Sequence, residues 1–353
     1  MVENITRTES ENSDDRNDGL PDRVLVIRIG RLGDTILATT IIEPLRQTFG
    51  SDVLIDFAVS PGASEVILNL DQRINHVYPI AHRRVPWRMH PMKQKLGNHS
   101  RDTPYDLVVN LECGAQCDDF IRFVHTRQFH GRPLIQPRHI PGRHCVDTEK
   151  SIYAGVLGVE ATAAAEPLLK LQQNPEVQSS GVDGDYVILN PGFSGLRKQG
   201  YRSHRSWPNR HWGKLIGLIT QHSGLSVAIN GTEEERQCFE ALLAMPGVHS
   251  LFGSSLLTLV RALERARCII SVDTGTMHLA TALGIPVIAL FGPSNNELSG
   301  PYSTKVPWRV LTSGVDCQPC FQTPLQKQCR FNRCMQTLRP EAVYAAFESI
   351  NPG

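Results

Sequence analysis

The sequence predicts an α/β protein built from two doubly wound, parallel-sheet domains. Three observations carry that prediction. β-Branched apolar runs alternate with helical patterns from Arg23 onward, the alternation fades across residues 160–185, and it then restarts with the same rhythm. Strands regularly separated by helices require crossover connections, which give parallel sheets covered by helices on both faces.

In the first half, "RVLVIRI" leads into the amphipathic "TILATTIIEPLRQTF", then "DVLIDFAV", "ASEVILNL" and, beyond a basic stretch, "YDLVVNL". In the second half, the strand "YVILNPG" precedes the helix "RHWGKLIGLITQHSG", the strand "LSVAING" and a Glu-rich helix. The strand "CIISVDTG", the helix "TMHLATALG" and the strand "PVIALFG" follow. The boundaries expected are a disordered acidic tail over 1–20, a first domain over 21–170, a linker over 171–185 and a second domain over 186–338. A C-terminal helix over 339–353 is expected to pack back on the first domain. A cleft between two such domains suits a nucleotide-bearing ligand.

With 353 residues, 41% of them hydrophobic and 20% charged, the chain has enough material for two cores. The net charge of +1 excludes bulk nucleic-acid binding, so anionic partners must be met by local patches. Residues 1–20 hold six acids and two arginines and lack the apolar core of a signal peptide. No apolar run reaches the length of a membrane span. Nine cysteines without an export signal point to a reducing cytoplasm.

The most informative segment is "CIISVDTGTMHLATALGIPVIALFGPSNNELSGPY", residues 268–302. A buried strand turns at Asp273-Thr274-Gly275 into a helix, whose first N–H groups and the Thr274 and Thr276 hydroxyls make an anion site. The same residues also read as a plain helix cap. Upstream, "NPGFSGLRKQGYRSHRSWPNRHWGKL" places Lys198, Arg202 and Arg205 after a strand end. "INGTEEERQ" puts Glu233, Glu234 and Glu235 one strand–helix unit further on. Cations beside a helix start suit a diphosphate, and a carboxylate nearby suits ribose hydroxyls.

The turn Gly30-Arg31-Leu32-Gly33-Asp34 looks like a dinucleotide cradle but has the wrong spacing. That fingerprint needs G-x-G-x-x-G, whereas only G-x-x-G is present, and Asp34 would face the pyrophosphate. A nicotinamide-dependent dehydrogenase is therefore rejected. Asp34 at the carboxyl end of a strand fits a general base, and it equally fits the cap of the helix that "DTILATT" begins.

Residues 72–101 hold seven cations and no acid: Arg73, Arg83, Arg84, Arg88, Lys93, Lys95 and Arg101. Cys317, Cys320, Cys329 and Cys334 form C-x2-C-x8-C-x4-C, a spacing compatible with structural zinc or with reduced thiols in a short lobe. Asp183-Gly184-Asp185 imitates a D-x-D metal motif but precedes its strand, so it reads as a turn.

Taken in order, "GRLGDTILATT", "YDLVVNLE", "NPG", "RSWP" with "HW", "VDTGTMHLATALGIPVIALFGP" and "CQPC…C…CM" resemble glycosyltransferase family 9, the ADP-heptose:lipopolysaccharide heptosyltransferases. The resemblance runs from residue 24 to about 340. It implies the GT-B fold, with two Rossmann-like domains facing a central cleft, the first binding acceptor and the second binding donor. It also implies inverting, metal-independent transfer of a heptose from an ADP-activated donor, with no cofactor required. Asp34 becomes the expected base. The implied donor set is Asn190, Ser194, Lys198, Arg205, Asp273, Thr274, Gly275, Thr276 and His278, with a carboxylate at or beside Glu234, the choice among Glu233, Glu234 and Glu235 staying open. Arg205 stands where the family carries Lys, and the stretch between "NPG" and "RSWP" is longer and more basic than the family pattern.

The acceptor implied is an anionic lipid-linked saccharide, expected to be docked by Arg83, Arg84 and Arg88. The setting implied is the cytoplasm, with peripheral contact on the inner membrane. Two other classes stay open at this point: a non-catalytic nucleotide or sugar binder, and a sugar-nucleotide epimerase.

Overall fold

The computed structural model describes residues 22–81, 85–112, 121–131, 140, 142–172, 181–193, 196 and 204–350. The first half contains β1 (Arg23–Arg28), α1 (Leu32–Ala38), α2 (Ile42–Phe49), β2 (Leu54–Val59), α3 (Ala63–Asn69) and β3 (His76–Pro79). It continues through α4 (Pro91–Asp102), β4 (Tyr105–Asn110), β5 (Thr126–Gly131), α5 (Cys145–Leu157) and α6 (Val159–Ala164). Its sheet has the order β3-β2-β1-β4-β5 and pairs in parallel throughout. β1 is buried at every residue, which explains its unbroken apolar run: a central parallel strand is covered on both faces.

The second half contains β6 (Tyr186–Asn190), α7 (Asn209–His222), β7 (Ser226–Ile229), α8 (Glu240–Leu243), β8 (Val248–Ser250) and α9 (Leu256–Arg265). There follow β9 (Cys268–Val272), α10 (Gly275–Ala282), β10 (Val287–Leu290), α11 (Asn296–Ser299) and β11 (Trp308–Leu311). The chain closes with α12 (Pro324–Gln328), α13 (Arg333–Thr337) and α14 (Pro340–Ile350). This sheet is also parallel, ordered β11-β10-β9-β6-β7-β8. Strand order reverses beside β1 in one sheet and beside β6 and β9 in the other, where doubly wound sheets open crevices for ligands.

Four details differ from the sequence reading. The first helix starts at Leu32, so Asp34 is its third residue, where its carboxylate caps the helix from within the first turn by accepting the Arg31 N–H. The Glu-rich segment is a 3-10 turn over Glu233–Phe239 before the single-turn α8. The basic stretch 72–101 is largely regular structure, and two of its cations are internal. Arg73 pairs with Asp71 at 2.7 Å and with Glu43 at 2.8 Å, while fully buried Lys93 donates to the Val85 carbonyl at 2.7 Å. Finally, α14 packs on α7 of the second sheet and not on the first domain. Val343, Phe347 and Ile350 bury their apolar stripe in the same core as Trp207 and Trp212.

The two sheets meet through their helices. α1 packs on α10, and one apolar core runs from Val24 and Ile36 to Met277 and Leu279. Backbone hydrogen bonds reinforce the junction: Leu169 N–H donates to the Ala282 carbonyl at 3.0 Å, and Gln172 N–H to that of Leu70 at 2.8 Å. α5 faces the loop after α11, where the Tyr302 hydroxyl donates to Asp147 at 2.6 Å. Glu166 accepts from the Ser303 hydroxyl at 2.8 Å and from the Thr304 N–H at 2.7 Å.

Candidate active site

Asp34 lies in the first turn of α1, directly after the carboxyl end of β1. Its carboxylate folds back to accept the Arg31 N–H at 3.0 Å and meets Arg28 at 3.4 Å. The carboxylate keeps 24% of its surface exposed, so it can reach a ligand. Gly30 makes the fold-back possible, because a Cβ there would stand 2.5 Å from the Asp34 Cβ. The turn's glycine thus makes room for a carboxylate and not for a phosphate.

Across the domain junction stands the start of α10. Thr274 caps it with an extended backbone, leaving the first N–H groups of the helix at the carboxyl edge of β9. The Thr274 hydroxyl is held by Asn190 at 3.1 Å and lies 3.2 Å from the Ser271 hydroxyl. Asn190 in turn accepts from Asn230 at 2.7 Å, joining the ends of β6, β7 and β9. Buried Asn190 is therefore an organiser of the loop, its amide committed to protein partners.

Asp273 pairs with Arg205 at 3.5 Å, and the same guanidinium donates to the Asp273 carbonyl at 3.4 Å. Gly275 meets Gly33 edge to edge, and His278 packs beside Gly33. His278 is buried, and its Nδ1 has no hydrogen-bond partner among the described residues. Burial pushes its pKa down to about 4, opposed by the nearby charges of Asp273 and Asp34. The structure thus brings together Asp34, Asn190, Arg205, Asp273, Thr274, Gly275 and His278 at the facing edges of the two sheets; Thr276 follows in the same half-buried first turn of α10.

The three glutamates separate by role. Glu235 is buried and accepts from the Thr232 N–H at 2.9 Å and the Phe193 N–H at 3.1 Å, tying down the chain after β6. Glu233 pairs with Arg236 at 2.6 Å. Glu234 is exposed between them. Ser194, Lys198 and Arg202 lie outside the described residues, as do Arg83 and Arg84. Arg88 is exposed on a 3-10 turn over Trp87–Met89, beyond the same edge of the first sheet.

Sequence reasoning missed the support beneath Arg205. Each residue from His204 to Trp207 is held by the Cys-rich segment or by the chain just after it. The His204 ring meets the Cys329 carbonyl at 3.1 Å, and Asn332 donates to the Ser206 carbonyl at 2.9 Å. Trp207 donates to the Leu338 carbonyl at 3.0 Å, and the Arg205 guanidinium sits over the Phe321 ring at 4.9 Å. No sequence signal linked these segments, which are more than a hundred residues apart.

Cys317, Cys320, Cys329 and Cys334 form no disulfide. Burial, reinforced by the neighbouring cysteines, pushes Cys334 up to about 11 and raises Cys320. Among the described residues no group of three or more His, Cys, Asp or Glu is placed to hold a metal ion. Asp185 of the D-x-D imitation pairs with Arg267 at 2.7 Å, at the edge of the sheet away from the cleft.

A family model for glycosyltransferase family 9 (heptosyltransferase) matches residues 129–331, more than half of the chain. The chain belongs to glycosyltransferase family 9. It is 26% identical over 310 residues to lipopolysaccharide heptosyltransferase 1 of Salmonella typhimurium, covering 79% of this chain and 91% of the relative. It is 26% identical over 333 residues to lipopolysaccharide heptosyltransferase 1 of Pseudomonas aeruginosa, covering 88% of each. The solved structure of E. coli heptosyltransferase WaaC with ADP-2-deoxy-2-fluoro heptose superposes with a TM-score of 0.66 at 20% identity, covering 93% of this chain and 99% of that one.

The two parallel sheets are therefore the two halves of a GT-B fold. Family membership makes the chain a glycosyltransferase, in place of the binder and epimerase readings left open by the sequence. No helix among the described residues is long and apolar enough to cross a membrane.

Proposed function

We propose that this family 9 glycosyltransferase moves a heptose from an ADP-activated donor to a hydroxyl of a lipopolysaccharide-core-type acceptor, inverting the anomeric carbon. One observation carries the reading. Asp34 stands on α1, and the Asp273–Thr276 turn starts α10, the two helices being packed against each other across the domain junction. A base on one wall and an anion-binding turn on the other is the arrangement that a single displacement requires.

In this reading Asp34 removes the acceptor proton as the hydroxyl attacks. Arg205 and the first N–H groups of α10 stabilise the departing diphosphate, and Glu234 meets the donor ribose. Arg205 supplies a fixed positive charge with a bidentate fork, so the leaving group has a cation without a divalent metal. The names of the Salmonella and Pseudomonas relatives support the acceptor class, and the ligand of the E. coli structure supports the donor class. Arg88, beside Met89, which is 74% exposed, suits an anionic lipid-linked acceptor at the inner membrane's cytoplasmic face.

The test is Asp34→Asn, assayed by nucleotide release from ADP-heptose with lipopolysaccharide from a heptose-deficient strain. Loss of a general base lowers kcat by roughly 100-fold or more, with donor KM near the parent value. Near-parental turnover removes Asp34 as the base.

A further inference from the structure

Arg28 ends β1 with its side chain only 4% exposed, and three carboxylates from three different elements surround it. Glu149 of α5 is at 3.0 Å, Asp34 of α1 at 3.4 Å and Glu112, just after β4, at 3.5 Å. Glu112 and Glu149 are themselves buried, so the group is an internal ion cluster with one member, Asp34, reaching the cleft. Among the described residues, one guanidinium meets three carboxylates, more than orientation of Asp34 alone demands. A buried ion network of this kind is costly, and replacing it with apolar side chains is often neutral for stability.

We infer that Arg28 is a positioning residue that sets the orientation and the basicity of Asp34, with Glu112 and Glu149 dividing its charge. The inference rests on Asp34 being the base. Arg28 alone would hold the carboxylate ionised but weakly basic. Glu112 and Glu149 draw part of the guanidinium's field away, so Asp34 is both ionised before attack and basic enough to accept the acceptor proton. Among the described residues, His278 of α10 also faces Asp34, and burial keeps it neutral. The Arg31 N–H then fixes the second carboxylate oxygen at 3.0 Å.

The experiment is the pH profile of kcat for Arg28→Met, Arg28→Lys and Glu149→Gln, with ADP-heptose and heptose-deficient lipopolysaccharide. Circular dichroism and ADP binding report on folding. Arg28→Met leaves the carboxylates without their cation, so the acidic limb moves to higher pH by about 1 unit and kcat falls at least tenfold. Arg28→Lys keeps the limb near the parental position while losing part of the rate, because the charge stays and the fork is gone. Glu149→Gln moves the limb the opposite way, to lower pH, since Arg28 then acts more strongly on Asp34.

Opposite shifts in the two directions are beyond a merely structural role. If Arg28→Met does not fold, Glu149→Gln and Glu112→Gln, which keep shape and remove one charge, carry the test. Folded variants with parental limbs overturn the inference, while a loss of turnover in Asp34→Asn still upholds the base. Parental turnover in Asp34→Asn removes the base reading itself, so the two failures are distinct.

Discussion

Gly33 of α1 and Gly275 of α10 touch backbone to backbone across the two domains. A Cβ on Gly275 would stand 3.0 Å from the Gly33 nitrogen, and one on Gly33 would stand 2.8 Å from the His278 ring. Interiors do not absorb such overlaps without moving side chains or backbone, at about 1–3 kcal/mol. Gly33→Ala therefore displaces the His278 ring or moves α1 from α10, and with it the setting of Asp34 against the Asp273 turn. The expected result is a lower melting temperature and a kcat reduced at least tenfold in a folded protein. Parental kinetics in Gly33→Ala would show that the helices need not approach this closely for transfer.

Arg205 gives a prediction that separates charge from shape. Its guanidinium is held by Asp273 on one side and by the Phe321 ring on the other. Phe321→Leu removes the aromatic face, a contact worth about 0.5–1 kcal/mol at an exposed site. Donor KM is expected to rise by about two- to fivefold on that scale, with kcat little changed and Phe321→Tyr restoring the parental value. Arg205→Met, which also loses the charge, must weaken ADP binding far more, measured by calorimetry. Equal effects from the two substitutions would assign Phe321 a general packing role.

His278 makes stability depend on pH with a definite sign. Its folded-state pKa is depressed from 6.5 to about 4, so between those values the unfolded chain binds a proton that the native chain does not. Its contribution is complete above pH 6.5 and is lost as the pH falls toward about 4. Denaturant unfolding across that window should show falling stability, and His278→Gln should flatten the slope. An unchanged slope in the variant would move the acid sensitivity to another group.

Metal removal addresses the leaving group. With Arg205 and the start of α10 meeting the diphosphate, EDTA is expected to leave transfer intact, measured as ADP release in chelated buffer. Complete loss of turnover restored by magnesium contradicts that expectation.

Much of the fold was legible because parallel strands buried on both faces read as continuous apolar runs, and β1, β4, β6, β9 and β10 do so. The basic stretch was not legible, because Lys93 and Arg73 look like surface cations until their partners are known. Lys93 is satisfied by the Val85 carbonyl, and Arg73 by Asp71 and Glu43. α14 failed for a different reason. Its apolar stripe states that one face is buried but not against which domain, and contact with α7 decides it.

By itself the sequence determined the two-domain α/β class, the family, and the rejection of a dinucleotide cradle at Gly30–Asp34. The class and the rejection rest on local spacing and periodicity, which neighbouring residues fix among themselves, and the family rests on an ordered set of motifs that resemble it. Only the tertiary structure decided what the glycines at 30 and 33 are for. One admits the folded-back Asp34 side chain, and the other admits Gly275 and His278 from the opposite domain. It also decided that Arg28 gathers Asp34, Glu112 and Glu149, and that the Cys-rich segment braces Arg205. Such partners lie too far apart along the chain for any spacing rule to pair them, and they meet only when the two sheets bury their shared core.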